Sequence, residues 1–205
     1  MWTRRRGVGC ALAALVLGVG LPAAPPAPRA QSASLAGQLL VATPDLHDSH
    51  FQQAVVYMLR HDESGAMGLV VNQPLGDVPL ARLLDQAGMD SAGAAGSIHL
   101  HVGGPVETAR VFVLHTDDYA APGTLRVGGG LALTWQAEIL RALTAGAGPR
   151  RAVFALGYAG WGPGQLEGEL RAGDWVSVPA DEGIVFDDAD ATKWTRAFAR
   201  RKISL

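Results

Sequence analysis

Residues 151–170 read RAVFALGYAGWGPGQLEGEL, an apolar run that passes through a glycine-rich turn into a segment with two glutamates. The apolar run predicts a strand, and the glycines with Pro163 predict a sharp turn before a short helix. A phosphate-binding loop of this shape needs a Lys and a Ser or Thr after the glycines. Because Gln165, Glu167 and Glu169 stand there instead, we predict a structural corner between a strand and a helix.

The two glutamates of this corner are unsuited to act together as catalytic acid and base. Residues two apart on a helix point to different faces, so their carboxyl groups do not converge on one bond. In the predicted corner the glycines let Tyr158 and Trp161 pack closely. Gln165 and Glu167 are expected to be exposed, so replacing both with Ala should leave the free energy of unfolding nearly unchanged.

Outside the corner, short β-like runs are broken by turn residues, and three further segments have helical patterns. Asp77 is predicted to cap the first helix, while Trp135, Ile139 and Leu143 form one stripe of the second. Strands in a run with irregularly placed helices predict an α+β domain with a mostly antiparallel sheet. The predicted strands are LLVATP (39–44), AVVYMLR (54–60), GAMGLVVN (65–72), SIHLHV (97–102), ARVFVLH (109–115), RAVFALGY (151–158), DWVSVP (174–179) and GIVFD (183–187), and the helices are DVPLARLLDQAG (77–88), TWQAEILRALTAGAGP (134–149) and a last one from about Asp190.

The first residues of the chain have the pattern of a secretory signal. A basic start, MWTRRRGVGC, precedes the apolar run ALAALVLGVGL and a Pro/Ala linker. The apolar run is shorter than the roughly 20 residues of a membrane-spanning helix. We expect cleavage after Ala30, an exported or periplasmic domain of residues 31–205, and no membrane span once the leader of residues 1–30 is removed. The alternative is a misassigned start codon on a cytoplasmic protein.

Length, charge and cysteine content exclude several functions. The 205 residues suit one domain with a substantial core. Cys10 is the single cysteine, which excludes intrachain disulfides and cysteine-ligated zinc. Four of the 17 basic residues lie in the leader with no acidic residue, so the rest of the chain has 13 basic and 19 acidic residues and a formal charge of −6. Direct nucleic-acid binding is disfavoured, because it requires a basic face.

Three histidines are candidate metal ligands. His99 and His101 alternate on a predicted strand and therefore share a face, and a hairpin could bring His115 to them. Three imidazoles can hold zinc. The alternative is a solvated strand face, because no acidic ligand follows from the spacing, and we predict no cofactor.

A serine nucleophile is a further possibility in RHDESGAMG, where His61 lies three residues before Ser64. The stretch lacks the Gly-x-Ser-x-Gly frame of a nucleophile elbow. A turn between two strands explains its Asp, Ser and Gly equally well. Both interpretations therefore remain open at this point.

Four stretches together resemble, in the same order, the signature blocks of the AlgH/YqgE family of bacterial proteins. They are GQLLVATPDLHDSHFQQAVVYML (37–59), HDESGAMGLVVNQPL (61–75), HVGGPVETARVFVLH (101–115) and GYAGWGPGQLEGELRAGDWVSVPAD (157–181). The resemblance runs from about residue 35 to the C-terminus. It implies a single α+β domain with a bifurcated sheet that forms a pseudo-barrel with flanking helices.

The resemblance implies no catalytic residues, and one member associates the family with transcriptional control of alginate synthesis. Family members are typically cytosolic and begin near residue 33, and His99 and His101 lie where they usually have other residues. Matching polar and glycine-rich positions define a candidate functional surface: His61, Asn72, Gly103, Gly104, Pro105, His115, Trp161, Gln165 and Glu167.

An acidic domain without an evident catalytic constellation predicts a non-enzymatic interaction or regulatory protein that acts through an unknown protein partner. The alternative is a small-ligand-binding protein or a hydrolase that uses the same surface.

Overall fold

The computed structural model describes residues 34–201, and the structural statements below concern that part of the chain. The predicted leader, its cleavage site at Ala30 and Cys10 lie outside it. The strands are β1 (Gln38–Ala42), β2 (Val55–Asp62), β3 (Gly65–Val70), β4 (Pro74–Pro79), β5 (Ser97–Val102), β6 (Val106–Thr116), β7 (Leu125–Gly128), β8 (Leu131–Thr134), β9 (Ala152–Trp161) and β10 (Trp175–Pro179), and the helices are α1 (Leu80–Gln86), α2 (Glu138–Thr144), α3 (Gln165–Ala172), α4 (Glu182–Val185) and α5 (Asp190–Phe198).

The strands form one sheet that branches at β9. Along the main path the order is β10-β1-β2-β3-β9-β6-β8-β7, and β5 with its neighbour β4 pairs with β9 off that path. The β5–β9 pairing is parallel, whereas the other pairings are antiparallel. The sheet curls into a half-barrel, and the Tyr57 hydroxyl of β2 donates a hydrogen bond to the Gly128 carbonyl oxygen at the end of β7 at 3.1 Å. The predicted α+β class and bifurcated sheet are confirmed.

Three apolar clusters hold the helices against the sheet. Successive residues of β9 point to opposite faces, so Val153 packs into the cluster beneath α4 and α5, while Phe154 packs into the cluster beneath α1 and α2. A third cluster lies beneath α3 and contains Leu166, Trp161 and Trp175. Each buried side chain of this size contributes about 1.5–3 kcal/mol through removal from water.

The glycine-rich corner forms as predicted. Strand β9 ends at Trp161 and α3 begins at Gln165. Gly164 caps the helix with a φ of 73°, which is the left-handed region that glycine adopts without a Cβ penalty. The side-chain oxygen of Gln165 accepts a hydrogen bond from the Gly162 backbone N–H at 3.0 Å, which fixes the turn.

Three sequence predictions about helices were wrong. GIVFD contains the one-turn helix α4 instead of a strand, because the Asp181 side chain caps it by accepting from the Ile184 N–H at 3.2 Å. Asp77 lies in β4, and α1 begins after Pro79 without a side-chain cap. Trp135 precedes α2 and is 38% exposed, so it is not part of that helix's buried stripe.

No helix within residues 34–201 is both long enough and apolar enough to cross a membrane.

Candidate functional site

Two glycine-containing segments cross at the branch point of the sheet. The Gly103 N–H donates to the Leu156 carbonyl oxygen at 2.7 Å, and its own oxygen accepts from the Val70 N–H at 2.9 Å. A Cβ on Gly103 would overlap the Gly157 oxygen, and one on Gly104 would overlap the Tyr158 backbone. These glycines are needed for the close backbone approach.

The crossing places the exposed Pro105 beside the β9–α3 corner. A cavity of about 430 Å³ opens there, and we call it the aromatic cavity; Phe51, Pro105, Trp161, Gln165, Glu169 and Trp175 are among the residues that line it. The Phe51 ring centroid lies 6.3 Å from that of Trp161 and 5.6 Å from that of Trp175. The two indoles meet edge to face at 5.9 Å.

The Glu169 carboxylate is held in this cavity by neutral donors. Its Oε2 accepts hydrogen bonds from the indole N–H groups of Trp161 at 2.8 Å and Trp175 at 2.9 Å. Its Oε1 accepts from the Gln165 amide at 2.8 Å. No Lys or Arg of residues 34–201 forms a salt bridge with Glu169. Asp48 and Asp174 also line the cavity, so the site is aromatic and acidic.

Glu167 lies on another face of α3, as the predicted two-residue spacing requires. Its Oε1 is 3.0 Å from Nε2 of His61, whose side chain is only 4% exposed. The Leu35 N–H donates to Nδ1 of His61 at 3.1 Å, so Nδ1 carries no proton and the Nε2 proton is donated to Glu167. Glu167 therefore has a buried partner while its own side chain is 28% exposed, and Gln165 is exposed.

The His61–Ser64 pair of a serine hydrolase does not form. Both ring nitrogens of His61 have other partners, and the Ser64 hydroxyl hydrogen bonds to Asp62 and accepts from Arg60. The segment is the turn between β2 and β3.

Two other candidate surface residues hold parts of the fold together. The Asn72 side chain accepts from the Val55 N–H and donates to the Gln53 oxygen, both at 2.8 Å, and so holds the start of β2. Buried His115 donates from Nδ1 to the Thr116 oxygen at 2.8 Å and accepts at Nε2 from the Thr134 hydroxyl at 3.0 Å. Burial lowers the pKa of His115 below its ordinary value. Neither residue reaches the aromatic cavity.

A second polar site, the histidine cluster, consists of His99, His101 and Asp190. Their ligand atoms all lie within 4.8 Å of one another. Nε2 of His99 lies 3.0 Å from Oδ2 of Asp190, and Nε2 of His101 lies 3.1 Å from its Oδ1. The fully buried Lys193 ammonium lies 3.0 Å from the same Oδ1 and donates to the Val71 oxygen at 2.8 Å. The predicted shared face of the two histidines is confirmed.

His115 lies on the opposite face of the sheet from this cluster. His101 pairs with Ala155 of β9, and His115 pairs with Ala152. Because these partners are three positions apart on one strand, the two histidines point to opposite faces. The third member of the group is Asp190, which the sequence marked only as a helix start. No spacing rule connects it to a strand 89 residues earlier.

The groups of the histidine cluster shift one another's pKa values. The pKa of His99 lies above its ordinary value, first because of its hydrogen bond to Asp77 and then because of Asp190. Burial lowers the pKa of His101 despite its contact with Asp190. Burial also acts to raise the pKa of Asp190, but hydrogen bonds from Lys193 and the histidines outweigh it, and that pKa lies below its ordinary value.

Comparisons with known proteins fit this architecture. The AlgH-like family model matches residues 39–205. A UPF0301 protein of Caulobacter vibrioides is 47% identical over 172 residues, which cover 83% of this chain and 88% of that protein. A UPF0301 protein of Rhodospirillum rubrum is 45% identical over 166 residues, which cover 81% and 86%.

Two solved structures have the same fold. The solution structure of the AlgH protein from Pseudomonas aeruginosa matches with a TM-score of 0.71 and 37% identity, over 90% of this chain and 94% of that one. A crystal structure of a Corynebacterium diphtheriae protein matches with a TM-score of 0.62 over 82% and 87%, and at 22% identity it supports the fold alone.

Proposed function

The chain belongs to the AlgH-like family, and from that premise we propose that it is a non-enzymatic interaction protein that binds a protein partner through the aromatic cavity. The partner supplies a cationic side chain, Arg or Lys, which enters between Phe51 and the Glu169 carboxylate. Any effect on transcription is then indirect, through the partner.

The observation that supports this proposal most strongly is that the Glu169 carboxylate is hydrogen bonded to neutral donors. Its three hydrogen-bond donors are neutral, so its negative charge has no salt-bridge partner within residues 34–201. Asp48 and Asp174 add negative charge to the same cavity. A cation placed here would meet a fixed carboxylate without first displacing a Lys or Arg.

The aromatic rings favour the same occupant. A cation over an aromatic face gains about 0.5–1 kcal/mol at an exposed site and about 2 kcal/mol or more when it is desolvated. Phe51 is half-buried at the cavity, and Trp161 and Trp175 are held by their bonds to Glu169. The formal charge of −6 after the leader would also speed the approach of a basic partner.

A protein partner is favoured by the surface that continues from the cavity. Pro105 lines both the aromatic cavity and a second concavity of about 530 Å³. That concavity includes Gln73, Thr108 and the apolar Val102, which is 37% exposed. A buried anchor surrounded by polar contacts is the usual arrangement of a binding hot spot. An extended basic segment could occupy both concavities at once.

A small cationic ligand is the second candidate. The volume of about 430 Å³ falls within the range of small-molecule sites, roughly 300–1,000 Å³. The hydrolase alternative has no equivalent support, because His61 and Ser64 have other partners.

Site-directed photo-crosslinking in the host tests the proposal. A benzophenone amino acid would replace the exposed Gln165, and the control would replace Leu125 of β7, which is 50% exposed. We expect a covalent adduct to one protein from position 165, with the linked peptide containing Lys or Arg, and loss of that adduct on adding Phe51→Ala. Identical adducts from both positions, or no protein adduct from position 165, would contradict protein-partner binding.

A further inference from the structure

We propose that His99, His101 and Asp190 form a binding site for one divalent transition-metal ion, with Zn²⁺ as the ion that suits these ligands best. The proposal is independent of the aromatic cavity. The ligand atoms are Nε2 of His99, Nε2 of His101 and a carboxylate oxygen of Asp190. Two imidazoles and one carboxylate with a remaining open position are a known ligand set for zinc.

The distances from the two histidines to Asp190 are close to the ligand separations that zinc requires. Ligands about 2.0–2.1 Å from a tetrahedral zinc ion lie about 3.3 Å from one another. The observed separations from Asp190 are 3.0 Å for His99 and 3.1 Å for His101. These two contacts use different oxygens of Asp190, and the three ligand atoms lie within 4.8 Å of one another. Binding one ion therefore requires side-chain movements of up to about 1.5 Å.

Groups behind the histidines orient both rings for metal binding. Nδ1 of His99 is 2.7 Å from Oδ1 of Asp77, and Nδ1 of His101 is 3.3 Å from the Phe154 carbonyl oxygen. Both of these oxygens accept, so each Nδ1 keeps its proton when a metal binds, and Nε2 releases the proton that it donates to Asp190 and becomes the ligand atom. A carboxylate or carbonyl behind a ligating histidine is the usual outer-shell arrangement of metal sites.

The surrounding charge also favours a cation. A cavity of about 510 Å³ opens onto both histidines and gives an ion and a water ligand access from solvent. Asp77, Asp187 and Asp188 line it, and Arg196 pairs with Asp187. Lys193 holds Oδ1 of Asp190 and leaves Oδ2 facing His99. The carboxylates therefore exceed the basic groups around the site.

Among residues 34–201, this is the one group of three His, Cys, Asp or Glu side chains with ligand atoms so close together. His50 and Asp48 form another exposed His–Asp contact, at 3.0 Å, but without a second histidine. That pair therefore provides a matched control for weak binding by surface histidines.

The test is a zinc titration of the untagged full-length chain after treatment with a chelator, in competition with a chromophoric zinc indicator. Wild type and the His50→Ala control should each bind one Zn²⁺ per chain with the same affinity. His99→Ala should bind at least about 100-fold more weakly, and Asp77→Asn about 10-fold more weakly through loss of the outer-shell carboxylate.

Both variants change side chains that are at least partly exposed, and circular dichroism would confirm that they fold. Equal zinc affinity of wild type and His99→Ala would overturn the proposal, as would the absence of saturable binding to wild type. A loss of affinity in His50→Ala as large as in His99→Ala would also overturn it, because binding would then be a property of surface histidines.

Discussion

Glu169 in the aromatic cavity and Asp190 in the histidine cluster are both carboxylates with several hydrogen-bond partners, but the partners differ in charge. Two indoles and an amide hold Glu169, whereas an ammonium group and two imidazoles surround Asp190. Neutral donors fix a carboxylate in place without cancelling its charge. The Glu169 carboxylate thus has no charged partner within residues 34–201, as our proposed function requires, whereas the Asp190 carboxylate already balances the buried Lys193 and would do so while acting as the proposed zinc ligand.

Substitution of Asp190 is expected to lower the free energy of unfolding the most. Asp190→Asn removes the counter-charge of the fully buried Lys193, and leaving a buried charge unpaired costs about 3–5 kcal/mol. Urea unfolding monitored by circular dichroism measures this loss. Asp188→Asn is the control, because Asp188 is exposed, and it should change the free energy of unfolding by less than about 0.5 kcal/mol. Equal effects of the two variants would show that Asp190 does not stabilise the fold through the buried Lys193.

The corresponding change at the aromatic cavity, Glu169→Gln, should cost less. The variant keeps the shape and one acceptor oxygen but loses charged hydrogen bonds to two indoles, which amounts to about 1–3 kcal/mol. The same unfolding experiment measures it. A loss equal to that of Asp190→Asn would show that the charge of Glu169 is also paired within the fold.

His115 extends the comparison to a buried base with neutral partners. Burial lowers the pKa of His115 in the folded state, so below the unfolded pKa of about 6.5 the unfolded chain binds more protons. The stability contribution of this residue is therefore present at pH 7 and is lost as the pH falls through 6.5 toward the folded pKa.

Urea unfolding of wild type and His115→Asn at pH 7 and pH 5 tests the direction of this pH dependence of stability. The wild-type chain should lose more stability between the two pH values than the variant does. A greater loss in the variant would contradict a buried, neutral His115.

The smallest effect is expected at Gln165. Its side chain is exposed, so Gln165→Ala should lower the free energy of unfolding by at most about 1 kcal/mol. Glu167→Ala should cost more, about 1–3 kcal/mol, because it removes the acceptor from buried His61. Thermal melting curves of the two variants give the order, and a greater loss in Gln165→Ala would reverse our assignment of the exposed and structural residues.

Local patterns predicted the corner but not all of the sheet. The β9–α3 segment has an apolar run before its glycines and a short polar helix after them, and its structure follows from those residues. Strand β4 contains Pro74 and Pro79 and is mostly exposed, so only its pairing with β5 makes it a strand. Strands β7 and β8 are four residues each on either side of a short glycine turn, and neither is long enough for a clear alternation.

The aromatic cavity and the histidine cluster also differ in how much of each could be predicted from the sequence. Pro105, Trp161 and Gln165 were candidates because they lie in the stretches that resemble the family's signature blocks, and the fold brings these stretches together. Phe51 joins the cavity through ring contacts with Trp161 and Trp175, and Glu169 through hydrogen bonds to both indoles, and neither set of contacts follows from a local sequence pattern. Asp190 reaches His101 only because α5 packs across the sheet, so no local pattern could have identified it.

The most direct test of the central claim is an NMR titration that records the indole N–H signals of Trp161 and Trp175. The ligand is a capped Gly-Arg-Gly peptide, and its control has citrulline, a neutral isostere, in place of Arg. If the Glu169 carboxylate binds a cationic side chain, both indole signals should shift saturably with the Arg peptide and should not shift with the citrulline peptide. Equal shifts with the two peptides, or no shift with either, would contradict it.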